Sequence, residues 1–453
     1  MAFLILLAVS LFTRLWYIAQ PIEPWWDTSV YVGMGKFMFT DGAIGIWESL
    51  RPVLWPFVLG IFWKIGLDPQ YWGKIIQILC SLGALYILYK IGERIYKYVG
   101  IVSATIFSFT PVVFYYTAMP ITDIPSMFFS LLGAYNVLNK RTFLAGLSVG
   151  IAFALRFPHA LFVVPFGIFL LITLKKQSIK PLINLAVGFW SIALPYFLIN
   201  IHLYQDALLP LRLGQTVVNM ITSQFQGPLY YAITLFTQNP LTIFALVGLG
   251  FYITAIKTWR SQEALTLIVL SILFVGGYFN YLEHKELRYS LAFLPYITLL
   301  IGYGLIRVSS YIPKPGKTIG IYILIIVLAG GVYIFKYIPT YIFYLSSAPS
   351  EARMRYYTFP LEDANIITTS PQFVAYNNVK VVDFFDTWDN AYRVFSTYEG
   401  EFDHVALELC KLQCTEETCE NSKQKILAEL TARYIQIFSE QDATCHLVIY
   451  KRI

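Results

Sequence analysis

Between two apolar runs stands Tyr281-Leu-Glu-His-Lys-Glu-Leu-Arg-Tyr289, which brings His284, Lys285 and Arg288 to a membrane boundary with Glu283 and Glu286 between them. On a helical backbone Lys285 and Arg288 would stand three apart and share a face. Such a pair suits a phosphate, because the Arg fork takes two oxygens and the Lys adds a point charge. The bland reading is a snorkelling connector. Asp27 follows the first apolar run, beside Trp25 and Trp26, in a place that suits either a general base or a helix N-cap. Arg156 and His159 flank Pro158 at the end of another run, and Asp123 lies between Pro120 and Pro125. An arginine closing an otherwise uncharged apolar run is costly enough to suggest function. Glu48 and Arg51 complete the set, with Arg51 pairing with Glu48 or contacting phosphate.

The elements that must position these groups are membrane helices. Of 453 residues 57% are hydrophobic and 13% charged, about half the charge of a soluble domain. Apolar runs cover about 2–19, 73–91, 99–118, 122–139, 142–155, 159–174, 181–201, 238–256, 264–280, 290–306 and 318–337, which makes about eleven spans. Basic connectors fall on one side if all are real: Arg94 and Lys97, Lys140 and Arg141, Lys175, Lys176 and Lys180, Lys257 and Arg260, then Arg307, Lys314 and Lys317. That alternation makes the N-terminus cytoplasmic and the C-terminal tail external. It also explains the net charge of +6 without nucleic acid. Asp27, Asp123, Arg156, His159 and the His284 cluster then share the outer face. The stretch Arg51–Lys64 is short and broken by proline, so it reads as an interfacial helix.

Past about residue 338 the chain turns polar. Short apolar stretches at 365–369, 379–384, 404–409, 434–438 and 446–450, alternating with helical segments, read as strands, and Lys423–Arg433 as a helix. The reading is a transmembrane module over 1–337, with outer loop 20–72, and an external α/β domain over 338–453. Cys410, Cys414, Cys419 and Cys445 lie in that tail, where an external location permits disulfides. Four cysteines allow three pairings, and a zinc site is the rival.

These residues carry a resemblance. Asp27 after the first span, Trp47-Glu48-Ser-Leu-Arg51-Pro before a short helix, and His284-Lys285-Glu286-Leu-Arg288-Tyr289 after a later span resemble the GT-C superfamily of glycosyltransferases. The last string is similar to mannosyltransferases that build lipid-linked oligosaccharides and glycosylphosphatidylinositol anchors, where Phe usually stands in place of Tyr289. The run at Arg51 is similar to the protein mannosyltransferase and aminoarabinose transferase branch. The likeness covers roughly 1–310 and implies a polyprenyl- or dolichyl-phosphate sugar as donor. It implies that Asp27 is the base, with Asp123 or Glu48 as a second acid that assists the acceptor or holds a metal. No clear ligand set singles out a divalent ion, and no cofactor is assigned.

The expected function is inverting transfer of a hexose, mannose first, to a lipid-linked glycan or protein on the outer face. Lys285, His284, Arg288, Arg156, His159 and Arg51 are the candidates for the donor phosphate. The alternative is a secondary transporter or flippase, which the span count also suits. The tail is assigned to shaping the acceptor site, a reading that unchanged acceptor choice after deletion past 340 would count against.

Overall fold

A computed structural model describes residues 1–20, 22–220, 225–254, 262–310, 349–361, 363–414, 418–443 and 445–453. The span expected at 318–337 and the connectors Lys257, Arg260, Lys314 and Lys317 lie outside the described residues. The fold is mainly helical. Among the described residues, 4 helices are long and apolar enough to cross a membrane: Pro69–Ile95, Phe157–Leu174, Ile179–Tyr204 and Glu263–Tyr281. A fifth is the pair Val99–Ser108 and Pro111–Thr117, bent by 62°. Shorter apolar helices, among them Ala2–Ile18, Thr142–Leu155 and Leu294–Ser310, take the places of other expected runs. Within the run expected over 99–118, Thr110-Pro111 breaks the helix, a division that hydropathy averages over.

Two compact units emerge, and they do not follow chain order. Of the described residues, the first comprises those in 1–19, 49–53 and 74–310, and the second those in 20–48, 54–73 and 349–453. The outer loop, read from sequence as part of the membrane module, thus mostly packs with the tail.

In the first unit, glycines let helix backbones meet, as expected where lipid offers no hydrophobic drive. A Cβ at Gly146 or Gly188 would collide with the facing backbone of Leu185 or Phe143. Gly248 and Gly304 form the same reciprocal contact between Ile243–Thr254 and Leu294–Ser310. The bend after Ser108 leaves backbone carbonyls without helical partners. Arg14, 1% exposed in the first helix, donates from Nη2 to Ser108 O at 3.2 Å and from Nε to Ser81 Oγ at 3.1 Å. A buried guanidinium is thus bonded at the helix break that leads to Tyr116.

In the second unit, strands β1 (Asn365–Thr368), β2 (Lys380–Phe384), β3 (His404–Glu408), β4 (Tyr434–Gln441) and β5 (His446–Arg452) form one sheet. Its order is β2-β1-β3-β5-β4, with β1 parallel to β2 and β3 and the other pairs antiparallel. Side chains alternate between faces. Ile367, Val405, Leu407 and Val448 pack on one side with Trp388, Ile426 and Leu430. Ile366, Ala406, Leu447 and Ile449 pack on the other with Tyr356, Phe373, Val374 and Ile46. The outer loop joins this second core through Ile46. Gly45, at φ +100°, donates to Val379 O at 2.8 Å and accepts from Val381 N at 2.8 Å, pairing along the β2 edge.

The helix Leu54–Lys64, the stretch read as interfacial, buries Trp55 and Leu59 and packs on Trp26–Met38. At their contact Gly35 faces Pro56 O and the Gly60 backbone, with no room for a Cβ. Cys410 bonds to Cys445 and Cys414 to Cys419, which selects one of the three pairings. Glu408, Cys410 and Cys445 come within metal-ligating reach of one another, but both thiols are spent in the disulfide.

Candidate active site

In the first unit the chemistry-bearing residues converge at one end of the helices. Asp123 opens the helix Asp123–Leu138 after Pro120, and Arg156 caps Thr142–Leu155 in extended conformation just before Phe157-Pro158. Arg156 leaves the helix in extended conformation between Thr142–Leu155 and the 3-10 turn Phe157–Phe162, and its guanidinium reaches Asp123. Arg156 Nη1 lies 2.7 Å from Asp123 Oδ1, whose side chain is 2% exposed. Replacing Arg156 with Met is expected to cost about 3–5 kcal/mol of stability, because a buried carboxylate loses its guanidinium. Thermal unfolding of the purified protein measures it, and Asp123→Asn with Arg156→Met should recover part of the loss.

His159 follows in the same turn and is buried. Its Nδ1 lies 2.8 Å from Ser130 Oγ and its Nε2 3.2 Å from Ser126 Oγ. Those serines are four apart on one helix face. Both ring nitrogens of the buried His159 are thus held by hydroxyls of the helix Asp123–Leu138.

The third contributor is the connector after Tyr281. Leu282 leaves the helix and Glu286 is extended, at φ −115° and ψ 148°. The helical relation between Lys285 and Arg288 therefore does not arise. Lys285 is buried and donates from Nζ to Gln226 O at 2.9 Å and to Leu282 O, which straps the connector to the segment at Phe225–Gln226. Glu286 forms the hub. His284 Nε2 lies 3.0 Å from Oε1, Arg288 Nη2 donates to Oε1 at 3.0 Å, and the Tyr289 hydroxyl donates to Oε1 at 3.0 Å. Arg288 Nε stands 2.7 Å from Oε2. Tyr231 donates to Glu286 O at 3.3 Å. The Arg156 guanidinium lies over the Tyr289 ring, 4.9 Å from its centroid, so the two ion pairs meet across one tyrosine.

Burial works against the Glu286 carboxylate, but the His284 bond and the Arg288 charge outweigh it and bring the group to about 2 from 4.5. A carboxyl depressed on folding stabilises above its unfolded value and loses that contribution as pH falls through the folded one. Wild type is expected to lose about 2–3 kcal/mol between pH 4.5 and 2 through this group, and Glu286→Gln to lack that component. Melting curves of both proteins across that window check it.

Beneath Tyr231 and Phe293 runs an apolar groove of about 470 Å³, lined by Leu235, Leu246, Leu273 and Ile297 among others. A charged head site thus adjoins an apolar channel, an arrangement that suits an amphiphile.

Asp27 and Glu48 belong to the second unit, and Arg51 to the first. Asp27 lies in the first turn of the helix Trp26–Met38 and Trp25 takes the N-cap, so Asp27 is not the cap itself. An acid there is favoured by the helix dipole. Sequence reasoning passed over Glu286 as a hub, Ser126 and Ser130, and Tyr231. The spacing of the two serines, four apart, was the available signal. The long-range pairing of Tyr231 left none.

A family model described as dolichyl-phosphate-mannose-protein mannosyltransferase matches residues 50–199. No curated protein matches the sequence. Among solved structures, ArnT from Cupriavidus metallidurans bound to undecaprenyl phosphate is similar at TM-score 0.68 and 10% identity, covering 98% of this chain and 97% of that one. The apo state of the same protein gives 0.63 and 11%, with 98% and 97% covered. The Archaeoglobus fulgidus oligosaccharyltransferase in complex with zinc and sulfate gives 0.57 and 12%, with 90% of this chain and 68% of that one. At these identities the likeness is one of fold, shared with ArnT and the archaeal oligosaccharyltransferase.

Proposed function

We propose that this GT-C protein transfers a hexose, mannose first, from a polyprenyl- or dolichyl-phosphate sugar to a lipid-linked glycan or a protein. The observation that carries the reading is the cluster of Arg156, Asp123, Arg288 and Glu286 next to an apolar groove. A lipid phosphate needs both parts. The family-model match supports mannose, and the undecaprenyl phosphate in the ArnT structure supports a polyprenyl carrier.

Asp27 takes the proton from the acceptor hydroxyl as its oxygen attacks the anomeric carbon. The bond from that carbon to the phosphate oxygen breaks, and the polyprenyl phosphate leaves with the electron pair. A single displacement inverts the configuration, so a β-linked donor gives an α-linked product. Arg288 and Arg156 stabilise the charge growing on the leaving phosphate. A guanidinium carries five donors, so Arg288 is able to hold Glu286 and a phosphate oxygen together. His284 and Glu286 orient Arg288, Lys285 fixes the connector, and Asp123 holds Arg156 in place. Arg51 is a further candidate for the phosphate, and Glu48 for the acceptor. The N-terminus is assigned to the cytoplasm and these residues to the outer face. A divalent ion is not required by this scheme.

Sugar release from a panel of polyprenyl-phosphate sugars, in membranes containing the protein, tests the reading. Transfer from at least one donor supports it. Solute flux with no transfer from any donor overturns it in favour of the transporter.

A further inference from the structure

The helix that carries Asp27 is gripped along its length by the C-terminal domain, and its grip centres on a buried lysine. Lys36 lies nine residues after Asp27, about 14 Å along the helix axis. It is 3% exposed, and its Nζ donates to Val374 O at 2.7 Å and to Asn377 O at 2.9 Å. Those acceptors belong to the last turn and cap of the helix Gln372–Tyr376, where carbonyls lack helical partners. Beside them Gly33 lies against Val374 so closely that a Cβ would collide with its side chain. At the other end Gln372 Nε2 donates to Pro24 O at 3.4 Å, and Trp26 meets the Phe384 ring edge-on at 4.9 Å. Tyr357 donates to Glu23 at 2.9 Å.

Burying an ammonium is costly, and burial pushes Lys36 down to about 8 while Asp68 pulls the other way. Packing alone would be met by Met or Leu at this position. An ammonium bonded to two carbonyls adds what an apolar side chain lacks, a fixed direction. We propose that Lys36 is a positioning residue through which the C-terminal domain sets the rotation and height of the helix bearing Asp27. The inference rests on the reading of Asp27 as the base. It gives the tail a part in the chemical step as well as in any acceptor choice.

The test uses the full-length protein in nanodiscs, with dolichyl-phosphate mannose or the panel donor that gives most transfer. Lys36→Met is expected to lower kcat ten- to a hundredfold, with the donor KM within about twofold. Lys36→Arg, which keeps charged donors, should regain most of it. Hydrogen exchange over 26–38 should quicken at least tenfold in Lys36→Met, a readout that needs no donor. Wild-type kcat in the folded Lys36→Met protein, or unchanged exchange over 26–38, overturns the proposal. If Lys36→Met does not fold, Lys36→Gln, whose shorter neutral amide cannot reach both carbonyls, decides: wild-type kcat or unchanged exchange over 26–38 overturns the proposal, whereas a lower kcat at constant KM with faster exchange supports it. Asp27→Asn run alongside separates the two readings. Full activity there would remove the base, whereas an inactive Asp27→Asn beside a fully active Lys36→Met would remove the positioning role alone.

Discussion

Asp27→Asn is expected to lower kcat for sugar transfer by about a hundredfold or more, with little change in donor KM. Asparagine keeps the size of the side chain and one of its acceptor oxygens, but it cannot take a proton from the acceptor hydroxyl. The fold should tolerate the change, because Trp25 and not Asp27 occupies the N-cap of Trp26–Met38. An acid in the first turn contributes only about 0.3–1 kcal/mol through the helix dipole. A structural role would therefore show as a modest shift in melting temperature and a matching loss of folded protein. A catalytic role shows as a loss of turnover in protein that melts normally. Wild-type turnover by Asp27→Asn would end the assignment of the base while leaving the fold and the phosphate cluster untouched.

Short-range pattern was legible in the sequence and long-range pairing was not. The five strands begin within a residue of where the short apolar stretches place them, since β-branched and apolar runs bounded by polar segments are a local signal. Asp27, Asp123, Arg156 and the His284 string also stood out, because charge at the end of an apolar run is rare enough to notice. A bend inside a run was not legible: hydropathy averages across Thr110-Pro111, whereas the backbone bends by 62° there. Lys285 was read as a phosphate ligand on the strength of its charge. Its partners are backbone carbonyls at Leu282 and Gln226, which have no signature in sequence. The same blindness hid Lys36, whose acceptors lie more than 330 residues away. Glu286 was visible only as an interleaved acid, and its role as hub depends on an extended connector that a helical reading of the string would not produce.

That hub sets the second large effect. Arg288→Met is expected to lower kcat/KM for the donor by about a hundredfold, the scale on which a single aimed donor to a developing anion acts. The loss should fall on phosphate recognition: affinity for free polyprenyl phosphate, measured as product inhibition, should weaken at least tenfold. Arg288→Lys should recover only part, since an ammonium cannot present two parallel donors to Glu286 and a third to phosphate. Fold stability is expected to change less than in Arg156→Met, because Glu286 keeps His284 and Tyr289 after Arg288 is gone, whereas Asp123 loses its guanidinium when Arg156 is replaced. The comparison therefore distinguishes the two arginines. A variant whose melting curve moves little while product inhibition weakens has lost a ligand contact. One whose melting curve collapses has lost a strut. Unchanged product inhibition in Arg288→Met would take the phosphate away from Arg288 and leave Arg156, across the Tyr289 ring, as the group to test next.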